Sequence, residues 1–340
     1  MNIETRIASF VELGSRLGHY EQDETLMKAV QSAEEENPWF TPDFIRYAMF
    51  AWSSLLDARL LTEWIRSYRD RFPEKPQTIG VVMAGNIPMV GFHDMLCVLL
   101  TGHRLLAKVS SQDRRLLPAI GELLSGIHPG WKERIAFTEE RLDRFDAVIA
   151  TGSNNTSRYF DYYFGKYPHI IRRNRNSAAI LDGSEPEEEL RRLSQDLFLY
   201  FGLGCRNVSR LLLPDGFDLE RLRKPFSRFE GIISHHKYCN NYDYQKAVMM
   251  VNKAPFTDLG FCLLVPSPAL PSPVSVIHYG YYSSKGEAET WLDREKDQIQ
   301  CVAAQGEPAG NRVPFGETQL PRLHDYADGI DTLEFLCRQK

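Results

Sequence analysis

The sequence predicts an α/β protein: N-terminal helices, then a mostly parallel sheet covered by helices, then a second, smaller α/β region. Three observations predict it. Residues 1 to 72 place apolar side chains at three- and four-residue spacing. From residue 78, short β-branched runs alternate with helix-length segments, and past residue 207 the alternation resumes.

The helical region includes "ETLMKAVQSAEEENPWF" and "TPDFIRYAMFAWSSLLDARLLTEWIRSYRDRF", with Thr41-Pro42-Asp43 as a helix start and Pro73 and Pro76 as the end. "TIGVVMAG" then reads as a strand and Gly85 to Gly91 as a turn. "FHDMLCVLLTG" is a helix ending at Gly102, and "RLLAKVS" is the next strand. "RRLLPAIGELLSGI" is a helix with Pro118 as a kink or boundary. "FDAVIATGS" is a buried strand that breaks into a polar turn and the aromatic helix "TSRYFDYYFG", and "PHIIRRN" and "SAAILDG" are two further strands. "PEEELRRLSQDLFLYFGLG" is a helix with acids in its first turn, where the dipole favours them, and it is expected to run up to Cys205. Beyond it come strands "VSRLLLP" and "SVIHYGYYS" and a helix near 285 to 299. The loop "VPSPALPSPV" is proline-rich but too short to link domains. In such sheets ligands sit at the carboxyl ends of strands, where "AGNIP" and "ATGS" fall.

Composition narrows the function classes. At 340 residues the chain is long enough for two cores. A net charge of -5 gives no basic surface for nucleic acid and no polybasic membrane anchor. No apolar run approaches a membrane span, and the N-terminus lacks the pattern of a signal peptide. The six cysteines lack CxxC pairs, which favours reduced thiols and a cytoplasmic location over a disulfide framework.

Several residues carry chemistry, each with a plainer reading beside it. Cys205, in "YFGLGCRNVSRLLLP", follows two glycines that would let a substrate carbonyl reach the backbone, as a thiolate nucleophile requires. It also fits a small buried hydrophobe at a helix-to-strand turn. Asn86, after a strand and before Pro88, suits an oxyanion donor, and Gly85 beside it suits close approach of a ligand; ordinary turn chemistry selects the same residues. Lys108 ends a strand, as a ribose or phosphate contact or as a surface lysine. Gly152 and Ser153 suit a pyrophosphate at a helix N-terminus, or a plain cap. "HIIRRNRN", with Arg172, Arg173 and Arg175, reads as a solvated face or as a binder of cofactor or coenzyme A phosphates. His235, His236, Cys239 and Asp243 suggest a metal, but adjacent histidines share one tetrahedral site poorly and no second ligand pair follows, so no metal is expected. No GxGxxG or Walker A sequence is present. The aromatic run "YFDYYFG" suits an acyl tunnel or, at helical spacing, core.

Taken in order, "AGNIP", "AKVS", "ATGS" and "GLGC" resemble the aldehyde dehydrogenase superfamily, which orders an Asn-x-Pro turn, a lysine strand, a "TGS" turn and a glycine-flanked catalytic cysteine. The tail "NRVPFGETQLPRLHDYADGIDTLEFL" is similar to that family's "PFGG" segment and closing strand. The resemblance spans roughly residues 78 to 340 and is faintest between 215 and 265. It implies a Rossmann-like cofactor domain with the N-terminal helices over 1–204, a smaller α/β catalytic domain over 205–310, and a segment 311–340 that returns to the first domain or forms a homo-oligomer interface.

Two departures from the family indicate the branch. The stretch matching its "ELGG" segment, "IIRRNRNSAAIL", has no glutamate to activate a hydrolytic water. Its later "E-x-F-G-P" glutamate falls near Ala269, in "ALPSPV". An acyl-cysteine without a hydrolytic base would exchange with coenzyme A or be reduced. The motifs look most like the acyl-CoA reductases related to the fatty acyl reductase of bacterial luminescence. The resemblance then implies Cys205 as nucleophile, Asn86 and the Cys205 N–H on the oxyanion, and Lys108 at the adenosine ribose. Ser111 stands where NAD-preferring relatives often carry an acid, which favours NADPH over NADH. Acyl-CoA is the expected substrate. An acyl-phosphate reductase and a non-catalytic thioester-binding or scaffold subunit are the alternatives.

Overall fold

A computed structural model describes residues 1–152 and 154–339. The chain divides into two compact units, Met1–Asn174 with Arg322–Lys340, and Arg175–Pro321.

The first unit begins with four amphipathic helices, α1 (Ile3–Gly18), α2 (Glu24–Glu36), α3 (Pro42–Leu55) and α4 (Ala58–Ile65). At the expected start of α3, Thr41 Oγ1 accepts from Phe44 N–H, and Asp23 and Asp57 cap α2 and α4. A five-stranded parallel sheet follows. It is built from β1 (Thr78–Val82), α5 (Phe92–Thr101), β2 (Arg104–Lys108), α6 (Leu116–Ile127), β3 (Ile135–Thr138), β4 (Ala147–Thr151), α7 (Asn154–Phe164) and β5 (His169–Arg172). The strand order is β3-β2-β1-β4-β5. The winding reverses between β1 and β4, and their carboxyl ends flank the crevice that such a reversal creates. α5 is buried on every face, which its nearly unbroken apolar run requires.

The second unit contains β6 (Asn176–Ile180), α8 (Glu187–Phe198), β7 (Val208–Pro214), α9 (Glu220–Phe226), α10 (His236–Val251), β8 (Thr257–Asp258), β9 (Leu263–Pro266), β10 (Val276–Tyr282), α11 (Lys285–Glu295), β11 (Ile299–Ala303) and β12 (Arg312–Val313). Its seven strands are ordered β12-β11-β6-β7-β10-β9-β8, all pairs parallel except β8 with β9. Strand alternation sends Ala179, Leu211 and Leu213 into a core with α8 and α9, and Ala178 and Leu212 into one with α11. Both faces are covered, as a parallel sheet requires.

Several details differ from expectation. β3 carries only four residues, too few to stand out in sequence, and α9 and α10 fill a stretch where no helix was expected. Pro118 lies in the first turn of α6, at the start of the helix. It is the third residue of that helix, where the missing N–H has no intrahelical partner to lose. Past β12 the described tail carries no closing strand and ends in α12 (Thr332–Cys337). The helix leading to Cys205 stops at Phe198. No described helix is long and apolar enough to cross a membrane.

Candidate functional site

In the first unit, the predicted residues gather at the carboxyl ends of β1, β2 and β4. The turn after β1 buries Gly85 and exposes Asn86. A Cβ on Gly85 would lie 2.5 Å from Ser110 Oγ and 3.1 Å from the Asp113 nitrogen, so this turn packs directly on the one after β2. Asp113 fastens the two together. It is buried, accepts from Met89 N–H at 3.1 Å and from Leu116 N–H at 3.3 Å, and its own N–H donates to Ser110 O. Burial pushes its carboxyl up to about 6, against the pull of those hydrogen bonds. The contact to Met89 holds a non-glycine residue at φ 60°, one position past Pro88.

Lys108 is the last residue of β2. Its ammonium donates to the carbonyls of Glu139 at 2.6 Å and Glu140 at 3.0 Å, which fixes the loop after β3 and leaves a third proton for a ligand. Ser111 is exposed at the tip of the Ser110–Asp113 turn. Gly152 follows β4, its N–H bonded to Arg172 O. Ser153 lies outside the described residues.

The other motifs sort differently. Arg172 lies neither on a solvated face nor toward a ligand. It is buried in an ion pair with Asp94 at 2.6 Å, and it donates to Thr332 Oγ1 at 2.8 Å, which anchors α12. Arg173 is exposed beside Asp161, and Arg175 donates to Ile299 O. The aromatic helix α7 divides: Phe160 and Phe164 pack with Phe145 and Tyr167, while Tyr159, Tyr162 and Tyr163 are exposed. These three tyrosines are therefore not core.

In the second unit, the chain leaves α8 through an unusual passage. Tyr200, Phe201 and Gly202 all have positive φ, at 55°, 56° and 74°. Two bulky residues in the left-handed region are strained, and burial of both rings holds them there. Phe201 stacks on His235 at 4.5 Å and on Tyr238 at 5.6 Å, which gives the start of α10 a structural use. His235 caps that helix, and Cys239 points at Asp243.

Cys205 follows as the second residue of a turn, Gly204 to Asn207, closed by Asn207 N–H to Gly204 O at 3.0 Å. Its side chain is half-buried, whereas Cys97, Cys262, Cys301 and Cys337 are buried; all six cysteines are thiols. Three side chains hold the turn. Asn207 Oδ1 accepts from Gly204 N–H at 2.8 Å, and its amide donates to Asp196 O and Leu199 O at 3.0 and 2.9 Å. Ser177 Oγ, from β6, donates to Cys205 O at 3.1 Å and accepts from Cys301 N–H. Arg206 Nε donates to Thr318 O. The "PFGET" loop that carries Thr318 is tied in turn to the Asp196 carboxylate. Ala269 lies in the loop between β9 and β10, where its carbonyl faces Arg210 and His278.

Sequence reasoning missed Asp113, Asp196, Asn207 and Ser177. Asp113 had a signal, an acid three residues ahead of a helical apolar run. Asp196 had a fainter one, an acid in the last turn of a helix, where the dipole disfavours it. Among the described residues, no group of three or more His, Cys, Asp or Glu side chains is placed to hold a metal ion.

Comparison with protein-family models and with curated sequences gives no match. Solved structures do match. A Mycobacterium tuberculosis aldehyde dehydrogenase complexed with NAD+ is 14% identical, covers 92% of this chain and 79% of its own, and has a TM-score of 0.64. Aldehyde dehydrogenase 21 from Physcomitrella patens, in complex with succinate, is 12% identical and covers 100% of this chain and 84% of its own, at 0.68. Succinic semialdehyde dehydrogenase from Streptococcus pyogenes, in complex with NADP+, is 14% identical and covers 90% and 77%, at 0.64. The chain therefore has the aldehyde dehydrogenase fold.

Proposed function

We propose that the protein is a nicotinamide-dependent oxidoreductase that reduces an acyl-CoA thioester to an aldehyde through an acyl-Cys205 intermediate. The observation that carries this reading is the Cys205 turn: a half-buried thiol on a backbone clamped by Asn207, Ser177 and Arg206. A thiol that was merely filling space would need no such clamp.

In the proposed reaction the Cys205 thiolate attacks the thioester carbonyl. The oxyanion takes hydrogen bonds from the Cys205 N–H and the Asn86 side-chain amide, the coenzyme A thiolate leaves, and the acyl group remains on sulfur. The nicotinamide cofactor, when bound, supplies the hydride that converts this thioester to the aldehyde. Departure of the aldehyde returns Cys205 as a thiolate, so the step needs no water.

The carboxyl ends of β1, β2 and β4 supply the residues suited to hold that cofactor: Gly85, Lys108, Ser111 and Gly152, with Ser153. The strand order that places them at a winding reversal supports a dinucleotide. Ser111, exposed and uncharged, accommodates a 2′-phosphate and so favours NADPH. The stretch from Ile170 to Leu181, which contains no acid, supports reduction over hydrolysis.

Turnover of acyl-CoA and acyl phosphates with NADPH tests the reading, acyl-CoA being the substrate expected to react. Asn86 is exposed, so Asn86→Ala should leave the fold intact while turnover falls about a hundred- to a thousandfold. Turnover near that of the wild type would remove Asn86 from the oxyanion role.

A further inference from the structure

A fully buried carboxylate that forms no ion pair among the described residues sits behind the cysteine turn. Asp196 is in the last turn of α8, and both of its oxygens are occupied by one loop. Oδ2 accepts from Gly316 N–H at 2.7 Å, and Oδ1 accepts from Thr318 N–H at 3.0 Å and Thr318 Oγ1–H at 2.8 Å. Its own carbonyl accepts from Asn207, whose Oδ1 holds Gly204 N–H. Arg206 closes the circuit from the turn back to Thr318 O. The turn bearing Cys205, the end of α8 and the 316–318 loop thus meet at one residue.

We propose that Asp196 is a positioning residue for Cys205, holding the 204–207 turn and the 316–318 loop as a single block. The inference rests on the reading of Cys205 as the acyl acceptor. A buried acid is costly unless it does something that a neutral side chain cannot. Here the two carboxyl oxygens accept from all three donors at once, whereas an amide in the same place would turn its NH2 toward one of them.

The groups around it set when it carries a proton. Burial pushes the Asp196 carboxyl up to about 7, and Glu317, on the loop, pushes the same way. Arg206 on the turn is occupied by Thr318 O, and Arg192 on α8 packs its methylenes against Gly316. Cys205 and Cys301, the latter in contact with Ser177 Oγ, are the thiols on the facing elements. Opening the block would return the acid to its ordinary range, where it gives up that proton, so the turn and the loop loosen together as pH rises through about 7.

Amide hydrogen exchange over pH 5 to 8, corrected for intrinsic rates, tests this without any substrate. In the wild-type protein, protection of 204–207 and of 316–318 should rise together, at least tenfold, as pH falls from 8 to 5, while β7 and β10 stay protected. Asp196→Asn should lower both segments at pH 8 and abolish their shared pH dependence. Should that variant not fold, Thr318→Val, which removes one donor, should loosen both segments in the same way. Loss of protection confined to 316–318, or wild-type profiles that show no common transition, would overturn the proposal. Acyl-CoA assays report separately: a protein that forms no acyl-enzyme but shows the coupled exchange would refute the functional reading and leave the coupling standing.

Discussion

Asn207 uses its side-chain amide and its backbone on the turn that presents Cys205. Its carbonyl accepts from Ser177 N–H, its N–H closes the turn, and its amide bridges three further backbone groups. Removing a buried side chain of this kind strands partners that no water can reach, at roughly 1–3 kcal/mol for an unsatisfied group. Asn207→Ala should therefore lower unfolding free energy by about 2–4 kcal/mol in urea titration. Asn207→Asp should cost more than Asn207→Ala, because a carboxylate oxygen would then face the carbonyls of Asp196 and Leu199. The reverse order would mean that packing, not hydrogen bonding, is what Asn207 contributes. At this scale the sequence spoke clearly where chemistry is local. Glycine on either side of Leu203 drew attention to Cys205, and Pro88 to Asn86. It was silent where the partner is remote: Asp196 is an ordinary helical acid until Gly316 and Thr318 arrive more than a hundred residues later.

The passage from α8 to β7 shows the same limit for elements. Apolar spacing continues through "LFLYFGLG", so a helix running to Cys205 was the natural expectation, yet it ends at Phe198. Tertiary contacts of Tyr200 and Phe201 outweigh local preference by holding both residues at positive φ. A sharp consequence follows for position 201. In most buried sites alanine is better tolerated than glycine, but at φ 56° glycine avoids the penalty on Cβ, which is about 1 kcal/mol. Both Phe201→Ala and Phe201→Gly lose the ring, so Phe201→Gly should be the more stable by about 1 kcal/mol in urea midpoints. Equal or inverted stabilities would show that the left-handed turn relaxes once the ring is gone. Long elements with strong periodicity, α1 to α6 and the strands β1, β2 and β4, were legible. Short β3 and the α9–α10 pair were not, since α10 buries only Tyr238 and Tyr242 and so carries almost no stripe.

Each of the two units places a buried acid behind a turn that the functional reading uses. Asp113 supports the Asn86 turn and Asp196 the Cys205 turn, and burial raises their carboxyls to about 6 and about 7 from the usual 3.8. In the folded chain these acids keep protons that the unfolded chain has already released. Their contribution to stability is therefore greatest in acid and declines as pH rises from about 4 to 7. His93, His103 and His278, pulled down by burial, act in the opposite sense and weaken the fold as pH falls through the usual histidine range. Comparison with a variant separates the two. Asp113→Asn should gain stability relative to wild type as pH rises from 5 to 8, seen as a widening difference in Tm. A difference independent of pH would mean that Asp113 does not titrate in that range.

At the scale of the whole molecule, fold class and strand alternation were readable from the chain, because parallel sheets advertise themselves in apolar runs. The proposed function rests on one thiol. Intact-mass analysis after incubation with a panel of acyl-CoAs, with and without NADPH, tests it most directly. The account predicts a mass increase of one acyl group on wild type that maps to Cys205, is absent in Cys205→Ala, and disappears on addition of NADPH as aldehyde forms. An acyl adduct elsewhere, or none on a folded protein with any chain length, would contradict it.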